Sequence, residues 1–140
     1  MKLRILSDAH TELWNFNKFK KTLDQVLPPL PSDEETILVC AGDIGLYAKY
    51  ASTYKPFFAE TSKRFKEVIC VPGNHSYYHS TGVWGNETEF WKDKKLPKNV
   101  HYLDNDYKII DDVMFIGSCL WTDFGDDPLA MWNASRKMND

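Results

Sequence analysis

Three apolar runs, Lys2–Leu6, Thr36–Ala41 and Glu67–Val71, each stop at a short polar motif rich in aspartate, asparagine and histidine. The middle run reads Thr-Ile-Leu-Val-Cys-Ala without polar alternation, the pattern of a strand covered on both faces. Between the runs lie segments with helical spacing. The first places Phe16, Phe19, Leu23, Val26 and Leu27 on one side and is stopped by Pro28, Pro29 and Pro31. The second runs from Tyr47 to Phe65, and Pro56 should kink or restart it. Strand, helix, strand, helix, strand predicts an α/β chain with parallel strands and right-handed crossovers.

Downstream, Tyr77 to Gly85 reads as a polar and aromatic surface loop, and Glu87 to Lys95 as a short helix. Val100–Leu103, Tyr107–Ile110 and Val113–Gly117 read as further strands, with Asp111-Asp112 turning the last pair into a hairpin. Pro128 to Met138 reads as a helix. A length of 140 residues suits one domain, and no repeat or linker divides it.

Composition narrows the function classes. The net charge of -3 offers no polybasic footprint for nucleic acid. No apolar run reaches the roughly 20 residues of a membrane helix, and the first is too short for a signal sequence. Cys40, Cys70 and Cys119 are odd in number and match no zinc spacing. They are expected to be reduced, buried thiols, which predicts a cytoplasmic protein.

The chemistry is expected where the strands end. Asp8 and His10 follow the first strand, Asp43 the second, and Asn74 and His75 the third. Ligands of open α/β sheets bind at the carboxyl ends of strands, so these residues should converge on one edge. Carboxylate and amide oxygens with an imidazole suit Mg²⁺, Mn²⁺, Fe, Ni or Zn. Each motif alone is weak: Asp-x-His is commonly a turn or cap, Gly-Asp an ordinary turn, and Gly-Asn a common turn pair. Three in this order, each closing a strand, point instead to a metal site. The glycines that cradle a pyrophosphate are absent from Leu6-Ser7-Asp8-Ala9-His10, which argues against a dinucleotide-binding domain.

Ser7-Asp8-Ala9-His10, Ala41-Gly42-Asp43-Ile44-Gly45 and Val71-Pro72-Gly73-Asn74-His75 resemble the first three motifs of the calcineurin-like metallophosphoesterases. Phe115 to Phe124 resembles, less specifically, a segment of a bacterial and phage subgroup. The resemblance implies a layered β-sandwich flanked by helices, of which residues 1–140 would be an incomplete N-terminal part. It implies two divalent metal ions (Mn, Fe, Ni or Zn, with Mn as the assay metal). Asp8 and His10 would bind the first, Asp43 would bridge both, and Asn74 would bind the second. Asp43 and His75 would be catalytic, with a metal-bridging hydroxide as nucleophile and His75 protonating the leaving oxygen or stabilising its charge. Asn74, His75 and His79 would contact a phosphomonoester or phosphodiester substrate.

Two departures temper the expectation. The family's third motif usually continues with Asp or Glu, and here Ser76 follows, so slower chemistry or altered positioning is expected. No histidine follows His101, whereas the family draws later metal ligands from a strand-end His and a Gly-His-x-His. The chain also ends within a helical pattern, which reads as truncation; a split gene product, or a partner supplying the missing half, are the other readings. Exposed apolar strand faces would then favour self-association. A noncatalytic binding or scaffold module, or an inactive fragment, is the competing functional expectation. His101 is expected to be structural, Trp121 to pack, Asp123 to make a turn, and Trp14 either to pack or to cover the pocket.

Overall fold

The computed structural model describes residues 1–78, 96–120 and 123–137. Strands β1 (Lys2–Leu6), β2 (Thr36–Ala41), β3 (Glu67–Val71) and β4 (Val100–Tyr102) form one sheet in that order, and every pairing is parallel. The first three strands have the bounds their apolar runs predict. Strands β5 (Asp106–Ile110) and β6 (Val113–Gly117) form a separate antiparallel hairpin. Its two-residue loop, Asp111-Asp112, has φ of 49° and 64°, the left-handed pair that matches the twist of a tight hairpin.

Helices α1 (Phe19–Val26) and α2 (Tyr54–Arg64) cover one face of the parallel sheet, and α3 (Pro128–Lys137) follows the hairpin. Both covering helices begin later than their spacing suggests. Phe16–Lys18 is a 3-10 turn, and so is Tyr47–Lys49. Pro56 lies in the first turn of α2, where its missing N–H would have had no helical acceptor. It restarts the helix rather than kinking it. From there Tyr54, Phe57, Phe58 and Thr61 are buried at helical spacing.

The helix-covered face packs Leu38, Cys40, Val68, Cys70 and Val100 beneath Phe19, Leu23, Tyr54, Phe57 and Phe58. The opposite face packs Ile37, Ile69, Leu103 and Ile110, with Val39, Val71 and Phe115 at its margin. A Cβ on Gly117 would lie 2.3 Å from the Cβ of Leu103, so glycine lets β6 approach the chain after β4. Cys40 and Cys70 are buried as expected, but Cys119 is only half-buried, because it follows β6 outside the packed sheet.

One charge cluster ties the strands to the helices. Asp33, 3% exposed, accepts from Arg4 at 2.8 Å, Arg64 at 2.6 Å and the Leu30 N–H at 3.0 Å. Burial alone would raise its pKa, but the Leu30 N–H and the two guanidiniums outweigh it and hold the carboxyl below the usual range.

The Glu87–Lys95 helix, most of the Tyr77–Gly85 loop, His79 and Trp121 lie outside the described residues. Among the described residues, no helix is long and apolar enough to cross a membrane.

Candidate metal centre

The loops leaving β1, β2 and β3 sit side by side because those strands are neighbours in the sheet. Backbone hydrogen bonds join the first two loops like a continued ladder. The Asp8 N–H reaches Gly42 O at 3.2 Å, the His10 N–H reaches Asp43 O at 3.0 Å, and the Thr11 N–H reaches Ile44 O at 2.9 Å. Asp8, His10 and Asp43 all take left-handed backbone, with φ of 53°, 45° and 52°. Non-glycine residues adopt this region at some cost, Asp and His more readily than most, and it clusters at sites where a side chain must be aimed.

That aiming brings one ligand atom from each of Asp8, His10 and Asp43 within 4.8 Å of one another. The donor set, two hard carboxylates and a borderline imidazole, fits a divalent cation. A cradle supports Asp43: a Cβ on Gly73 would fall 2.1 Å from its Oδ1, so this close seat is open only to glycine. The same oxygen accepts the His75 backbone N–H at 3.0 Å. Asn74 and His75 open a 3-10 turn, Asn74–Tyr77, directly after Gly73, and both are half-buried. The His75 ring meets the His10 ring edge-on at 4.7 Å between centroids and lies 4.2 Å from Tyr78.

Ser76 takes up a specific task where the family pattern has a carboxylate. It is fully buried, and its hydroxyl accepts the Gly73 N–H at 3.1 Å, closing the turn that carries Asn74 and His75. Tyr54 donates to Gly45 O at 2.9 Å and lies 3.0 Å from Ser76 Oγ. Because a phenol has one proton, the Ser76 hydroxyl donates to Tyr54, and the second and third loops are tied through α2. Burial pushes the Tyr54 and Tyr102 phenols and the Cys70 thiol well up, so the floor beneath these loops is uncharged. Tyr102 shares a hydrogen bond with Tyr47.

A family model described as calcineurin-like phosphoesterase matches residues 1–133. The chain belongs to that family. It is also similar to the uncharacterised protein L509 of Acanthamoeba polyphaga mimivirus, with 30% identity over 145 residues, covering 99% of this chain and 50% of that protein. The chain therefore spans about half the length of this curated relative. No solved structure matches it.

The remaining sequence candidates of this calcineurin-like phosphoesterase family member separate clearly. Trp14 donates its indole N–H to Ala9 O at 2.8 Å and packs its ring at a tilt against Phe19, 5.0 Å between centroids, so it braces the first loop from the helix side. Asp123 caps the 3-10 turn Phe124–Asp126 by accepting the Gly125 N–H. His101 pairs with Glu67 at 2.8 Å, at the start of β3 and so at the end of that strand remote from the metal motifs. One residue escapes motif reading. Glu12 lies in the 3-10 turn Thr11–Leu13, with Oε1 3.0 Å from His10 Nδ1. Its sequence signal is only an acid two positions after a candidate ligand.

Proposed function

We propose that this chain carries the metal-binding N-terminal half of an enzyme that hydrolyses a phosphomonoester or phosphodiester. The supporting observation is the convergence of Asp8, His10 and Asp43 within 4.8 Å at the ends of adjacent parallel strands. Family membership supports metal-dependent phosphoester hydrolysis in general. In this reading Asp8 and His10 would hold one divalent cation, Asn74 would serve a second, and Asp43 would serve both. Such cations supply Lewis acidity toward phosphate oxygens and lower the pKa of water. The chain's own groups orient: Gly73 and the His75 N–H fix Asp43 Oδ1, and Ser76 fixes the turn that presents Asn74. His75 is the group for the leaving oxygen, since an imidazole can donate a proton near neutral pH. His79 is kept as a substrate contact. The buried thiols of Cys40 and Cys70 support a reducing, cytoplasmic setting.

Hydrolysis of bis(p-nitrophenyl) phosphate with Mn²⁺ tests the reading, with Asp43→Ala expected to abolish it. Residues 1–140 alone are expected to bind Mn²⁺ weakly, because no histidine follows His101 to complete the ligand set. Two sub-micromolar sites per chain in calorimetry would overturn that partial-site reading. The same missing histidines favour a second reading, a noncatalytic module on this fold. Partner binding retained without metal, with no Asp43-dependent hydrolysis, would select it.

A further inference from the structure

Two buried carboxylates, Asp33 and Glu12, are treated very differently. Asp33, 3% exposed, has both oxygens satisfied by guanidiniums and a backbone N–H. Glu12, 8% exposed, bonds only through Oε1, to His10 Nδ1 at 3.0 Å. Its Oε2 is buried and has no hydrogen-bond partner among the described residues. Burying an unpaired carboxylate oxygen is costly, and a carboxylate retained only for packing would be satisfied as Asp33 is.

The surroundings say what Glu12 serves. One ligand atom from each of His10, Glu12 and His75 lies within 4.8 Å of the others. The turn delivering Glu12 is rigid. Thr11 is anchored to Ile44 O through its N–H at 2.9 Å and its hydroxyl at 2.7 Å, and the Leu13 N–H returns to His10 O at 2.9 Å. A carboxylate that accepts from one ring nitrogen of a histidine fixes the tautomer and leaves the other nitrogen as the ligand.

We propose that Glu12 is the positioning residue for His10: its Oε1 holds the Nδ1–H tautomer of His10, freeing Nε2 for a cation shared with Asp8 and Asp43. The inference rests on the metallophosphoesterase reading for its consequence, and on the hydrogen-bond geometry alone for the tautomer.

Nitrogen-15 NMR of the metal-free chain, with the imidazoles neutral, reads the tautomer directly. His10 is expected as the Nδ1–H form in the wild type and as the commoner Nε2–H form in Glu12→Ala. Glu12→Gln keeps an acceptor oxygen and is expected to keep the tautomer. Mn²⁺ titration followed by the EPR signal of the free ion should show affinity falling about 10- to 100-fold in Glu12→Ala and largely rescued in Glu12→Gln. An Nε2–H His10 in the wild type, or unchanged tautomer and affinity in Glu12→Ala, overturns the proposal. Should Glu12→Ala fail to fold, the wild-type tautomer and its retention in Glu12→Gln decide. If no form binds Mn²⁺ and Asp43→Ala changes nothing, the metal reading fails, while the tautomer still decides Glu12.

Discussion

The parallel sheet and the β5–β6 hairpin are built from equally apolar strands, yet they end in opposite environments. Ile37, Leu38 and Cys40 of β2 are fully buried, whereas Ile109 and Met114 of the hairpin are each 54% exposed and Ile116 is 78% exposed. The difference is one of cover. The helix side of the parallel sheet is sealed by α1 and α2, and the loops of the candidate metal centre stand on that sealed half. The other face is covered only in part. Leu3 and Ile5 of β1, in register with Ile37 and Val39, remain 46% and 72% exposed there. The contrast teaches that the site loops stand on the well-covered half of the core, while the less covered half presents an apolar surface of the kind that favours association.

The largest expected effect tests the sealed half. Phe57 is fully buried, and Phe57→Ala is expected to cost about 3–5 kcal/mol in urea unfolding, a large share of any domain's stability. A cost below about 1 kcal/mol would mean the helix layer is not tightly packed.

Next comes the charge cluster that fastens this half. The folded-state pKa of Asp33 lies below its unfolded value. Its contribution is therefore complete above the ordinary carboxylate range and lost as pH falls through the folded pKa. The unfolding midpoint should drop in acid, and Asp33→Asn should lower stability by about 3 kcal/mol near neutral pH and flatten that acid limb. An unaltered limb in the variant would locate the acid sensitivity elsewhere.

Gly73→Ala probes the site rather than the core. The added Cβ must displace the Asp43 carboxylate, and a misplacement near 1 Å is expected to cost on the order of 100-fold in Asp43-dependent activity. The His75 amide resonance should move with it. Wild-type activity and an unmoved resonance would show that Asp43 does not depend on this seat.

The smallest stability effect belongs to the exposed face. Ile116→Ser should change unfolding by no more than about 0.5 kcal/mol, yet shift sedimentation of the chain toward monomer. A cost comparable to Phe57→Ala would show the hairpin face to be covered, and would erase the contrast between the two regions.

Much of this architecture can be read from the residues. The apolar runs mark β1, β2, β3 and β6 with their observed bounds, because a strand's period and its terminating glycine, proline or aspartate are local properties. The start of α2 is harder, because Tyr47 and Tyr50 continue the helical spacing while the chain before Thr53 makes a 3-10 turn. Glu12 is harder still. Its place depends on a left-handed turn at His10 and lies beside His75 from another strand end, and no local pattern encodes that meeting.

By itself the sequence determined which segments become strands, in what order they close, and that Asp8, His10, Asp43, Asn74 and His75 follow strand ends, since periodicity and turn chemistry act over a few residues. Only the tertiary structure decided which of those groups meet. Parallel pairing set β1, β2 and β3 side by side, the Gly73 backbone seated Asp43, and the first loop carried Glu12 to two histidines. Those contacts span tens of residues, and their geometry comes from packed helices and shared hydrogen bonds rather than from any single motif.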